Sequence, residues 1–139
     1  MPTIREFVEE ATNSGSTSRL EELAAHRSTS VRIAVAENTS SADGLILRLS
    51  RDADELVRLS AAGNVRNRPH IHDSLAHSDD KWVRAILAHT FARDDDRSLS
   101  YAVQRQLAFD DFWEVRERIA ETTNYSDLFD SCLADVHPA

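Results

Sequence analysis

Residues 23–38 read LAAHRSTSVRIAVAEN, and the same frame returns as LSRDADELVRLSAAGN at 49–64, LAHSDDKWVRAILAHT at 75–90 and LAFDDFWEVRERIAET at 107–122. Each copy opens on Leu23, Leu49, Leu75 or Leu107, followed by a small residue (Ala24, Ser50, Ala76, Ala108). Eight residues after the Leu stand Val31, Val57, Val83 and Val115, each followed by an Arg: Arg32, Arg58, Arg84 and Arg116. An Ala comes next (Ala36, Ala62, Ala88, Ala120), then Asn38, Asn64, Thr90 or Thr122. The Leu positions are 26, 26 and 32 residues apart, and a further Leu-Ala pair, Leu133 and Ala134, follows after another 26. A fixed period of this length is the signature of a repeat architecture. The irregular interval carries six extra residues, which fit best in the acidic stretch Arg93 to Arg97.

One unit reads as two short helices. Val31, Ala34 and Val35 fall at i, i+3 and i+4, one face of a helix, and leave Arg32 on another. The spacing of Asp52 and Glu55 marks a start for this helix in the second copy, as do Ser78, Asp79 and Asp80 in the third. Asn38 and Asn64 mark its end, as residues that tolerate the left-handed cap conformation. The other helix carries pairs four apart: Leu45 and Leu49, Ile71 and Leu75, Val103 and Leu107, Phe129 and Leu133. Pro69 suits the first turn of such a helix, where its missing N–H costs little. Recurrent Ala allows units this short to approach closely, and each unit buries too little to fold without its neighbours.

The composition agrees. Three Gly and three Pro in 139 residues are poor material for sheets and turns, so an all-α chain is expected, as a single domain over 1–139. Residues 1–14 read as an N-terminal cap helix with Ile4, Phe7 and Val8 inward, 19–122 as four repeats, and 123–139 as the C-terminal cap. The lone Cys132 excludes an intramolecular disulfide and reads as a small core side chain. No apolar run approaches a membrane span and no leader pattern opens the chain, so a cytoplasmic location without membrane contact is expected. The net charge is −8, and fifteen of the 16 cations are Arg. That balance repels phosphate backbones, and Arg suits fixed bidentate pairing with carboxylates.

The four-fold Leu-small, Val-Arg, Ala, Asn frame resembles the leucine-rich repeat variant, a relative of the HEAT-like repeats, over roughly residues 20 to 136. The resemblance implies a short right-handed α-solenoid of stacked two-helix repeats that binds by an extended face, and it implies no reaction. The acid of that family's unit stands here as Asp52 and Asp110 but is His26 and Ser78 in the other copies, which interrupts any Asp–Arg ladder.

Several residue sets invite chemistry. Arg32, Arg58, Arg84 and Arg116 recur in one register and could grip phosphates; the competing expectation is that each pairs with an acid of its own or the adjacent unit, such as Asp52 or Asp110. Arg66 and Arg68 form the other small cationic group. Trp82 and Trp113 with nearby acids resemble what a DNA glycosylase sets against a damaged base, although both fall near helix starts where packing also explains them. His70, His72, Asp73 and His77 lie close in sequence, but His70 and His72 point apart on a helix and no recognised metal spacing occurs. Asp94 to Asp96 lack the Gly and terminal Glu of an EF-hand loop and read as a helix start. With no phosphate loop, nucleophile elbow or Cys–His pair, no catalytic residue, metal or cofactor is expected.

The expected function is a non-catalytic protein–protein interaction or scaffold module that binds an unknown protein or peptide through one face. Arg32, Arg58, Arg84 and Arg116, together with Phe91, Arg93 and Tyr101 around the insertion, are the candidate contacts, because extra residues in one unit map to a loop on one face. A HEAT-like nucleic-acid-binding or DNA-repair module using the Arg row is the alternative. A small immunity-type protein that inhibits an enzyme through its acidic surface is a third. Open solenoid ends also permit a homodimer.

Overall fold

The computed structural model describes residues 1–90 and 99–133, and every described element is helical. In chain order these are α1 (Ile4–Asn13), α2 (Thr17–Ala24), α3 (Thr29–Glu37), α4 (Asp43–Leu49), α5 (Glu55–Gly63), α6 (His72–Ala76), α7 (Lys81–Thr90), α8 (Tyr101–Ala108), α9 (Trp113–Thr122) and α10 (Ser126–Leu133). A 3-10 turn, Pro69–Ile71, leads into α6 and takes Pro69 at its start, as the sequence suggested. None of the described helices is long and apolar enough to cross a membrane.

The helices group into two compact units, Met1–Val65 and Arg66–Ala139. In the first, α1, α3 and α5 lie side by side, while α2 and α4 pack on each other and back onto that layer. In the second, α7 packs on α9, and α6, α8 and α10 form the other layer. The repeat frame is the core of both: the four Leu and four Val of the frame are buried, as are the small residues after each Leu and Ala36, Ala62 and Ala88. Helices this short are marginal in isolation, so this burial is what holds them.

Helix starts are capped locally. Thr3 and Glu6 form a reciprocal capping box on α1, with Thr3 Oγ1 accepting from the Glu6 amide and Glu6 Oε2 from the Thr3 amide. Ser16 and Ser100 cap α2 and α8. The start of α5 differs from the sequence reading. Asp54, not Asp52, accepts from the Leu56 and Val57 amides, because the Asp52 carboxylate is occupied by Arg32. Likewise α7 starts after both acids, with Asp80 Oδ1 accepting from the Trp82 amide at 2.8 Å.

Three further expectations are corrected. No described residue has positive φ; Asn38 ends α3 in an extended conformation, so the recurrent Asn does not serve as a left-handed cap. In α10 the buried pair is Leu128 and Cys132, while Phe129 and Leu133 are exposed. The period-matched Leu133 is thus one position out of register with its counterparts, since α10 turns the face bearing Leu128 and Cys132 to the core. Burial pushes the Cys132 thiol pKa up, in keeping with an inert core residue. In α1 the most buried residue is Ala11; Phe7 and Val8 are half-buried and Ile4 is exposed.

Candidate interaction surface

The turn between the two helices of each repeat is built by one rule. Its first residue accepts a hydrogen bond from the amide two positions on: His26 Nδ1 from Ser28 (3.0 Å), Asp52 Oδ1 from Asp54 (2.9 Å), Ser78 Oγ from Asp80 (3.2 Å) and Asp110 Oδ1 from Phe112 (2.9 Å). His, Asp and Ser are interchangeable here because each offers an acceptor at that reach. The Arg six residues on then donates Nη1 to the backbone carbonyl of the same residue. Arg32 reaches His26 O, Arg58 reaches Asp52 O, Arg84 reaches Ser78 O and Arg116 reaches Asp110 O, at 2.9, 2.9, 2.7 and 2.6 Å.

Where the turn residue is Asp, it also joins consecutive copies. Arg32 Nε and Nη2 donate to the two oxygens of Asp52 at 2.9 and 3.1 Å, and Arg84 makes the same fork on Asp110 at 2.7 and 3.0 Å. The Arg32 and Arg84 side chains are only 16% and 13% exposed. Both guanidinium groups are therefore structural and neutralised, which removes them from any exposed phosphate-gripping row and matches the ion-pair expectation for Asp52 and Asp110. Burial opposes ionisation of Asp52, but the Arg32 hydrogen bond, the Asp54 amide and the charges of Arg32 and Arg58 outweigh it and hold its carboxyl below the usual range. A folded-state pKa below the unfolded one gives stability that is present above the ordinary aspartate value of about 4 and is lost as pH falls through the lower folded value. Urea unfolding of the wild type and Asp52→Asn at neutral and acid pH should show a stability gap that narrows on acidification; a constant gap would rule out this linkage.

The Asn positions form a second series. Asn38 Nδ2 donates to Ala11 O and Ser14 O, both at 2.8 Å, and Asn64 Nδ2 donates to Ala36 O and Asn38 O, both at 2.9 Å. Each Asn thus satisfies backbone carbonyls at the end of the preceding helix in its layer, groups that have no partner within their own helix.

Of the other candidates, Phe91 and Arg93 lie outside the described residues, as does the rest of the insertion. Tyr101 is partly exposed; its hydroxyl donates to Asp127 Oδ2 at 2.7 Å and its ring meets Tyr125 edge to face. The Asp127 hydrogen bond, then burial, raises its phenol pKa. His72 is buried, whereas His77 is exposed with Nδ1 2.8 Å from Asp73 O. Among the described residues no three His, Cys, Asp or Glu side chains gather as a metal site.

The residues that do converge at the surface were not among the sequence candidates for partner contact. Trp82 and Phe112, at the starts of α7 and α9, meet edge to face with centroids 5.1 Å apart, and Trp82 remains 39% exposed. Phe112, but not Trp82, lines an open cleft of about 480 Å³ together with Ser78, Asp79, Lys81, Arg84 and Asp111. Glu114 and Glu117 stand part-exposed along α9, and Glu121 is exposed beyond them. The signal was in the frame. The position before each repeat Val holds Ser30, Leu56, Trp82 and Glu114; the first three are exposed and Glu114 is half-buried, so core packing does not require the position to be apolar. Leu56 there is 62% exposed.

Set against known protein families, curated proteins and solved structures, the chain matches none.

Proposed function

We propose that this chain is a non-catalytic interaction module, a short right-handed α-solenoid of the leucine-rich repeat variant and HEAT-like kind, which docks a protein or peptide on the outward face of α7 and α9. The observation that carries this reading is the Trp82–Phe112 corner. Two aromatic rings in contact, Phe112 lining an open cleft and Trp82 over a third exposed beside it, are the composition of a binding anchor rather than of a solvated helix face. The inward, neutralised forks of Arg32 and Arg84 favour protein over nucleic acid as the partner.

The test is a comparative affinity capture from the native host with the wild type and Trp82→Ala, both checked for equal helix content. A specific protein retained by the wild type should bind the variant about ten-fold or more weakly, the scale of an aromatic hot spot. Retention of the same protein by both forms would put the docking face elsewhere, and specific capture of nucleic acid would replace the reading.

A further inference from the structure

The same corner also specifies the charge of its occupant, an inference that rests on the docking reading above. The ammonium of Lys81, the single lysine of the chain, lies 4.7 Å from the Phe112 centroid and 5.9 Å from that of Trp82. Ring faces attract cations through their quadrupole, so this corner already stabilises one positive charge. Around it the balance is negative. Asp79 and Asp111, the latter with a side chain 95% exposed, stand at the cleft, and along α9 Glu114, Glu117 and Glu121 outnumber Arg116 and Arg118. The other cation at the cleft, Arg84, forks onto Asp110 and also lies 3.2 Å from Asp111 Oδ1, while the Asp111 side chain itself stays open to solvent. The whole chain carries −8, which favours encounter with positive partners at long range.

We infer that the corner takes a basic segment of a partner protein. One Lys or Arg side chain lies on the open face of Trp82, and neighbouring cations of the segment face Asp111, Glu114 and Glu117. Aromatic stacking supplies the anchor, and the carboxylates supply orientation and on-rate.

Lys81 provides a test of sign. Against a basic segment its ammonium is a like charge, so Lys81→Met should tighten binding. Against an acidic segment Lys81 would be the contact, and the same substitution should weaken it. The experiment is a heteronuclear NMR titration of the full chain with three probes: an amphipathic peptide of Lys and Leu, the same peptide with Glu for Lys, and a short DNA duplex. The basic peptide is expected to move the Trp82 indole signal and the amides at the starts of α7 and α9. Its affinity should fall about ten-fold in Trp82→Ala, fall in Glu114→Gln/Glu117→Gln, and rise in Lys81→Met. Binding of the basic peptide that is indifferent to all these surface variants would be diffuse attraction to an acidic chain and would overturn the inference. Preferential binding of the acidic peptide at this corner, weakened by Lys81→Met, would overturn it while leaving the docking reading standing. If neither peptide moves these signals, both readings fall. Occupation of the corner by the duplex, or by a second copy of the chain as judged by concentration-dependent signals without any probe, would likewise overturn it.

Discussion

Asp110→Ala should destabilise the protein by about 3–5 kcal/mol, the scale of leaving one member of a buried ion pair without its partner. The Asp110 side chain is 5% exposed and does three jobs: it receives both arms of the Arg84 fork and the Phe112 amide. Removing it strands a guanidinium that is itself only 13% exposed. Asp111 softens the loss, since its Oδ1 already lies 3.2 Å from Arg84 Nη2, which argues for the lower end of that range. Replacing both partners, Arg84→Met with Asp110→Leu, should cost less than Asp110→Ala alone, because no charge is then left buried. Equilibrium urea unfolding of the three forms decides the matter. A single substitution that costs no more than a surface change would refute a structural role for the pair.

The second large effect is expected at Asn38. Its Nδ2 bridges two carbonyls, its Oδ1 accepts from the Ser40 amide at 2.8 Å, and the residue is 9% exposed. Asn38→Ala removes these bonds and leaves the carbonyl of fully buried Ala11 without this donor, at a cost of about 2–4 kcal/mol. Asn38→Asp should be worse than Ala, because it sets a carboxylate oxygen against two carbonyl oxygens. Amide exchange should quicken in α1 more than in α5, since α1 is the helix whose end is released. Equal exchange in both helices, or a cost for Asp below that for Ala, would contradict this assignment.

Much of the helical core was legible in the sequence. The Leu and Val of the frame recur at a spacing that only burial on a shared face requires, and all eight are buried. What could not be read was what the polar members of the frame touch. Asn38 was expected to adopt a special backbone conformation at its own helix end. Its task is instead to satisfy carbonyls in a helix some two dozen residues earlier, a relation that local propensity does not encode. Asp52 likewise had the spacing of a cap, but its carboxylate is claimed by Arg32 and Asp54 caps in its place. At α10 the period pointed to Leu133, and the helix rotated by one residue to bury Leu128 and Cys132. The candidate site was the least legible part. Trp82 read chiefly as packing between units, with base stacking the lesser alternative, and only its contact with Phe112, thirty positions away, brings it beside a cleft-lining residue.

The clamp on the Asp110 turn reaches beyond stability. Because one carboxylate holds both the Phe112 amide and the Arg84 fork, the spacing between the two aromatic rings is set before any partner arrives. On the docking reading proposed above, such a pre-set notch would behave as a gauge: little ordering entropy would be lost on contact, and a side chain of the wrong breadth would be refused rather than accommodated.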